Sequence, residues 1–561
     1  VKKSKLTFLM ALTLIFSLFL AACSGGKDEA KDPKPEGNDG TKTEKPAEPQ
    51  VLNLTEVAEL PSLDVSKAED AASFQVLNNV MEGLYRLDKT DKPVPGVAES
   101  HEVSEDGKVY TFKIRKDAKW SNGDPVTAKD FVYSYHRTLN KDSAGSYQYI
   151  MGDIKNVNKI INPEDPMYGK VEELGVVAKD DHTLEITLEN AVPYFVGLTS
   201  FATFYPQNQK FVESQGDKYA LEANTLVYNG PFVLSEWKHE ESWKMVKNDQ
   251  YWDKDSVKLD EINVNVVKDV GTDLNLYNTN QNDLVGLSSE YVDQYKDNAD
   301  FKTETEATMW YLKMNQKNPV FKNVNVRKAF SQAIDKESMV KVILNNGSVA
   351  ANYLVPANFT NIDGEDFRAK YKDGFHAFDA AKAKSDWEAG LKELKKDKVE
   401  VEFLVGDTES SIKLATYIAA QLEKSLPGLK VTLNPQPFKN RLDLENKGQY
   451  DFELAGWGPD YQDSMTFLDM FVTDGGHNRM EYSNKKYDDL IKSAKTDLSD
   501  LKKRWENLQE AERILLEEDA AIAPLYQRGR ALLVKPYVKD VFKHGFGADY
   551  SYKWAYIEGK Q

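Results

Sequence analysis

From Val109 to Ile114 polar and apolar positions alternate, with Tyr110, Phe112 and Ile114 on one side and Val109, Thr111 and Lys113 on the other, which predicts a half-buried strand. After Trp120 the cluster Ser121-Asn122-Gly123-Asp124 reads as a turn. Thr127, with Asp130 three positions on, reads as a helix N-cap, and a helix is expected through Arg137. Further along, Leu501, Trp505, Leu508, Ala511 and Leu515 recur at threes and fours, the apolar stripe of an amphipathic helix. Pro524 in Ala523-Pro524-Leu525-Tyr526 ends that pattern and introduces a strand. Strand, turn and helix signals alternate along the chain without a fixed repeat, so an α/β or α+β assembly fits better than a bundle or a sandwich.

The first fifty residues follow a different pattern. Lys2, Lys3 and Lys5 precede an apolar run from Leu6 to Leu20 and then Ala21-Ala22-Cys23, the layout of a secretion signal. The run is short for a membrane span, and no later stretch approaches the ~20 apolar residues a span needs. Cys23 is the single cysteine, so no internal disulfide is expected. From Ser24 to Gln50 there is no Val, Ile, Leu, Met, Phe, Tyr or Trp, and such a segment reads as a disordered tether.

The remaining 511 or so residues suggest roughly three domains of ~150 each. A net charge of −18 disfavours nucleic acid and anionic membrane surfaces as partners, since phosphate binding needs a basic face. No H-E-x-x-H, G-x-S-x-G, P-loop or C-x-x-C occurs, and the seven histidines, at 101, 136, 182, 239, 376, 477 and 544, lack metal-ligand spacing. Neither an enzyme nor a cofactor is therefore expected. Asp460 and Asp463 sit three apart, as an acid and base pair might, but after Gly-Pro the simpler roles are turn capping and ion pairing.

The segment Gly96-Val97-Ala98-Glu99-Ser100, followed by residues 110–128 with Trp120-Ser121-Asn122-Gly123-Asp124-Pro125, resembles the signature of the family 5 solute-binding proteins, the peptide and nickel receptors of ABC importers. Further matches follow in order: Asp181-His182-Thr183-Leu184, Tyr228-Asn229-Gly230-Pro231-Phe232, Tyr251-Trp252, and Asn325-Val326-Arg327-Lys328-Ala329. Gly456-Trp457-Gly458-Pro459-Asp460-Tyr461 is most similar to the oligopeptide branch, and Leu20-Ala21-Ala22-Cys23 resembles a lipobox, whose cysteine becomes acylated. The resemblance implies an α/β, three-lobed, periplasmic-binding-protein-like clamp (type II, cluster C) with mixed sheets and a hinge. Its expected parts are a signal peptide (1–22), lipidated Cys23 with its tether (23–50), a discontinuous domain I (51–81, 208–307 and 528–561), domain II (82–207) and domain III (308–527). An extracytoplasmic, membrane-anchored monomer that delivers oligopeptides to a permease is the implied function. Receptors of the same fold for a dipeptide, a signalling peptide, nickel, haem or an oligosaccharide are the alternatives.

By that resemblance Asp460 accepts the peptide's α-ammonium, and the ligand lies extended between Glu69-Asp70-Ala71 and Gly456-Trp457-Gly458, pairing like an added strand. Glu69 and Ala71 would lie near the ligand backbone, Tyr147 and Phe438 in pockets, and Trp457 against a ligand side chain or in the core. The arginines that enteric oligopeptide receptors place around the ligand's carboxylate end fall here on Glu445 and Leu454, and a histidine of similar use falls near Ile412. No cation for that end is legible, which points to longer or more varied peptides held mainly at the amino end.

Overall fold

The alternating segment folds as a strand, Val109–Ile114, with Tyr110, Phe112 and Ile114 buried and Lys113 exposed. The N-cap at Thr127 also forms: its backbone N–H and hydroxyl both donate to Asp130 Oδ2, at 2.7 and 3.0 Å, and the helix Ala128–Leu139 follows. The computed structural model describes residues 49–142 and 145–560. The signal, Cys23 and the tether up to residue 48 lie outside the described residues, and the described residues belong to one unit. Gln50, at the end of the expected tether, is tied down: its amide donates to the Ile557 carbonyl at 3.0 Å and its carbonyl accepts from Asp260.

Three sheets organise the described chain. Val51–Glu56 runs parallel to Glu261–Val266, and Ser242–Lys247 and Phe232–Lys238 continue that sheet antiparallel. The signature strand lies in a second, all-antiparallel sheet in the order Ala98–Val103, Val109–Ile114, Thr183–Thr187, Val176–Asp180. The third is mixed, in the order Leu284–Gly286, Ile522–Val534, Phe301–Met314, Phe452–Trp457, Val399–Gly406, Leu429–Gln436, with Val349–Ala350 paired to Ile522–Val534 off that path. Trp387, Phe330, Phe403, Ile418 and Phe452 are fully buried beside it.

Two long strands of the mixed sheet, Phe301–Met314 and Ile522–Val534, pair twice with a break between. Thr305 faces Gly529 and Met309 faces Gln527, so three residues on one strand oppose Arg528 alone. The bulge twists the ribbon at this point. A second irregularity sits at Pro524, which faces Tyr311 while Trp310 faces Tyr526. A proline has no N–H for the ladder, and a central strand accommodates it at a bulge.

The apolar stripe near the end differs from expectation at both ends. The helix spans Leu501–Arg513, but Leu501, its first residue, is 54% exposed, because the neighbours that bury Leu508 and Ala511 do not extend over the first turn. Leu515 is buried in a wider turn, Ile514–Glu518, that closes the helix. Among the described residues no helix is long and apolar enough to cross a membrane.

Candidate functional site

The strand Phe452–Trp457 delivers the Gly-Trp-Gly-Pro-Asp segment. On one edge it pairs antiparallel with Met309–Met314, while on the other Val399–Gly406 pairs only with Phe452 and Glu453. Among the described residues the second edge of 454–457 therefore has no strand partner, the arrangement that accepts an added extended chain. Gly456 faces Trp310, and a Cβ there would sit 2.8 Å from the indole, so only glycine lets that ring lie across the backbone. Gly456 and Gly458 are exposed.

Beyond the strand the chain turns inward at Asp460. Its backbone N–H donates to Thr466 Oγ1 at 3.0 Å, and the Gly547 N–H donates to the Pro459 carbonyl at 2.8 Å. Asp460 is 7% exposed, and its Oδ1 accepts from the Tyr147 hydroxyl at 3.1 Å, whereas Oδ2 is buried without a partner among the described residues. Among the described residues no Lys or Arg pairs with it. Burial pushes the Asp460 carboxyl well above the usual range; nearby Asp469 adds to the rise, and hydrogen bonds from Tyr147 and Tyr149 oppose it. A buried carboxylate short of a partner is costly by itself and is stabilised by a cation that brings N–H donors.

Aromatic rings enclose this carboxylate. Trp457 stacks on Tyr147 with centroids 6.1 Å apart, and its indole N–H donates to the Thr466 carbonyl at 3.0 Å. Phe74 and Phe201 close on Tyr147 from behind, at 5.1 and 5.7 Å. His477 meets Tyr147, Tyr149 and Trp457 edge to face at 4.9, 4.9 and 5.0 Å. Trp457 is half-buried in this cluster.

Glu69 lies on the far side of an ion network. Arg479 bridges Glu69 at 3.0 Å and Glu445 at 3.4 Å; Lys313 pairs with Glu445 at 2.5 Å and Glu453 at 3.3 Å; Arg441 reaches Glu453 at 3.3 Å. Although burial opposes it, Lys313, Arg441 and Arg479 hold Glu445 well below the usual carboxylate range, while burial and Glu445 push Glu453 up. Glu445, where the enteric receptors carry an arginine, is thus met by three cations from positions 313, 441 and 479, each paired to carboxylates of this network.

The other expected residues are dispersed. Ala71 opens the helix Ala71–Val80, capped by Asp70, whose Oδ1 accepts from Ser73 N at 2.9 Å. Phe438 starts the helix Phe438–Asn446 and lines a separate recess with Glu59, Trp237 and His239, away from Asp460. Leu454 is a core residue, and Ile412 stands 37% exposed on the helix Glu409–Ser425. Tyr149, His477 and Thr466 belong to the site and were not anticipated. For Tyr149 and Thr466 the only signal was nearness in sequence to Tyr147 and Asp460, and His477 had none.

The profile described as Bacterial extracellular solute-binding proteins, family 5 Middle, matches residues 92–479, a span that holds the signature strand, Tyr147, Asp460 and Arg479. The chain belongs to this family. Along its length the family 5 chain is 36% identical to the dipeptide-binding protein DppE of Bacillus subtilis over 560 residues, 99% of each chain. Its fold superposes on the substrate-binding domain of an oligopeptide ABC transporter from Bacillus anthracis with a TM-score of 0.88 and 50% identity, covering 91% of this chain and 99% of that one. It is also similar to the Listeria monocytogenes OppA bound to peptide, with a TM-score of 0.87 and 47% identity over 92% of this chain and 100% of that one. The family 5 clamp fold is thus the fold of this chain, and the expectation of an α/β type II architecture holds. Among the described residues no group of His, Cys, Asp or Glu is arranged to hold a metal ion.

Proposed function

We propose that this protein is an extracytoplasmic receptor that captures oligopeptides in extended form and hands them to an ABC permease, without chemical turnover. The observation that carries this reading is Asp460, a carboxylate 7% exposed with one oxygen unpartnered, next to an open strand edge at 454–457. Asp460 takes the peptide α-ammonium, and Gly456-Trp457-Gly458 pairs with the ligand backbone. Tyr147 orients the carboxylate. Glu69, paired with Arg479, and Ala71 lie near the ligand backbone, while Phe438 lines a recess of its own. Because the backbone and the amino end are common to all peptides, such a site reads chain rather than sequence.

In this reading 51–81, 208–307 and 528–561 form domain I, 82–207 domain II and 308–527 domain III. Support comes from the bulge at Glu306–Thr308 opposite Arg528, which falls where domains I and III would hinge. Cys23 carries the lipid that anchors a monomer to the outer face of the cell membrane, and 23–50 is its tether. Mass spectrometry of what the purified protein releases on acid denaturation tests the ligand class: peptides with free amino ends are expected, and release of a metal, haem or sugar overturns it. The likeness to a dipeptide-binding protein supports a second reading, short peptides alone. A titration series from two to nine residues separates the two, since an oligopeptide receptor retains affinity beyond the dipeptide.

A further inference from the structure

Among the described residues, two of the aromatic cluster around Asp460 hold a buried polar side-chain atom without a partner, and only Asp460 Oδ2 has been given a role. The other is His477 Nε2. The His477 side chain is 7% exposed, and its ring is boxed by Tyr147, Tyr149 and Trp457 at 4.9 to 5.0 Å. Tyr147, one face of that box, also donates its hydroxyl to Asp460 Oδ1, so both unpartnered atoms border one aromatic cluster. Packing alone does not call for a nitrogen here, since a phenyl ring would fill a box of three aromatic faces without leaving a polar atom dry. Burial, with Arg479 and Lys313 nearby, holds the imidazole well below its ordinary range, so at neutral pH one ring nitrogen is a lone-pair acceptor.

An alkylammonium has three N–H donors, and Asp460 has one oxygen free. We infer that His477 Nε2 accepts a second hydrogen bond from the ligand's ammonium beside Asp460, making His477 a specificity-determining residue that selects primary amino ends over alkylated ones. The proton of the imidazole then sits on Nδ1. This rests on the reading of Asp460 as the ammonium acceptor and adds to it: charge attracts the amino end, and the number of N–H donors decides how tightly it is held.

The test uses one peptide in three forms, with a free, an N,N-dimethylated and an N-acetylated amino end, titrated into the ligand-stripped protein and into His477→Phe and His477→Gln. The dimethylated form keeps its charge and a single N–H. Expected is a roughly ten- to hundred-fold weaker binding of the dimethylated peptide by the wild type, the range of one hydrogen bond to a charged group. His477→Phe should lose a similar factor for the free-amine peptide and show little further loss on dimethylation, and His477→Gln, which keeps an acceptor, should recover part of it. As a readout independent of the variants, the wild-type imidazole nitrogen resonance of His477 should move on adding the free-amine peptide and not the acetylated one. If His477→Phe binds the free-amine peptide like the wild type, or both pay the same dimethyl penalty, the inference is overturned while the Asp460 reading stands. If the wild type does not distinguish free from acetylated peptide, the Asp460 reading falls and this one with it.

Discussion

Asp460→Asn keeps the shape of the side chain and removes its charge. In the free protein the carboxyl shares Oδ1 with Tyr147 and leaves Oδ2 unpaired in a site 7% exposed. Asparagine presents its carbonyl to Tyr147 and its NH2 toward the ligand, so donor meets donor. Truncating one partner of a buried, hydrogen-bonded charge pair costs ~2 to 5 kcal/mol. At ~1.4 kcal/mol per decade this is a loss of roughly thirty- to several-thousand-fold in peptide affinity. The free protein responds in the opposite direction. Burial raises the Asp460 pKa on folding, so the folded state binds this proton more tightly than the unfolded one. That contribution is fully present below the ordinary carboxylate range and is lost as pH rises through the raised value. The variant has no such loss and should melt no earlier than the wild type at pH 7. Ammonium binding in turn favours the ionised carboxyl, so peptide binding releases a proton below the raised pKa, and affinity climbs with pH until the peptide's own amino group deprotonates near ~8. Titration calorimetry in buffers of different ionisation enthalpy, paired with thermal melts, reads all three effects. Peptide affinity within threefold of wild type, or a variant that unfolds readily when ligand-free, would refute the reasoning.

Tyr147→Phe removes the hydroxyl from Asp460 Oδ1 and keeps the ring on Trp457, so peptide affinity should fall by about ten- to hundred-fold with little change in melting temperature. Arg479→Ala strips one shared cation from Glu69 and Glu445, and because Lys313 and Arg441 still hold Glu445, chemical denaturation should show a loss smaller than the ~3 to 5 kcal/mol of a wholly abandoned buried charge. Lys336 is buried, its ammonium donates to Asn352 Oδ1 at 2.7 Å and among the described residues no carboxylate pairs with it, and burial lowers its pKa to about 7. The unfolded lysine holds its proton up to its ordinary value, so stability rises with pH from about 7 upward, and Lys336→Met should raise the melting temperature at pH 7 and flatten that rise.

Features encoded by neighbours in sequence were legible. The strand Val109–Ile114 shows its period of two, and Thr127 with Asp130 shows a cap, because both depend on residues a few positions apart. The Gly-Trp-Gly-Pro-Asp segment pointed to Asp460 through resemblance, but the partner of its Oδ1 is Tyr147, 313 positions earlier. The cations at 313, 441 and 479 escaped for the same reason: they meet Glu445 only after the mixed sheet brings separate segments together. The break opposite Arg528 was equally hidden, since a bulge is a property of two paired strands, and neither strand shows it alone. Leu501 fits the helical period and yet faces solvent, because periodicity identifies a stripe and the tertiary neighbours decide where its burial ends.

The most direct test of peptide capture through the amino end is calorimetric titration of the ligand-stripped protein with a mid-length peptide and its N-acetylated twin. The account predicts that the free-amine peptide binds and the acetylated twin binds at least thirty-fold more weakly, matching the loss of one buried charge pair. Equal binding of the two would contradict it and remove Asp460 as the anchor.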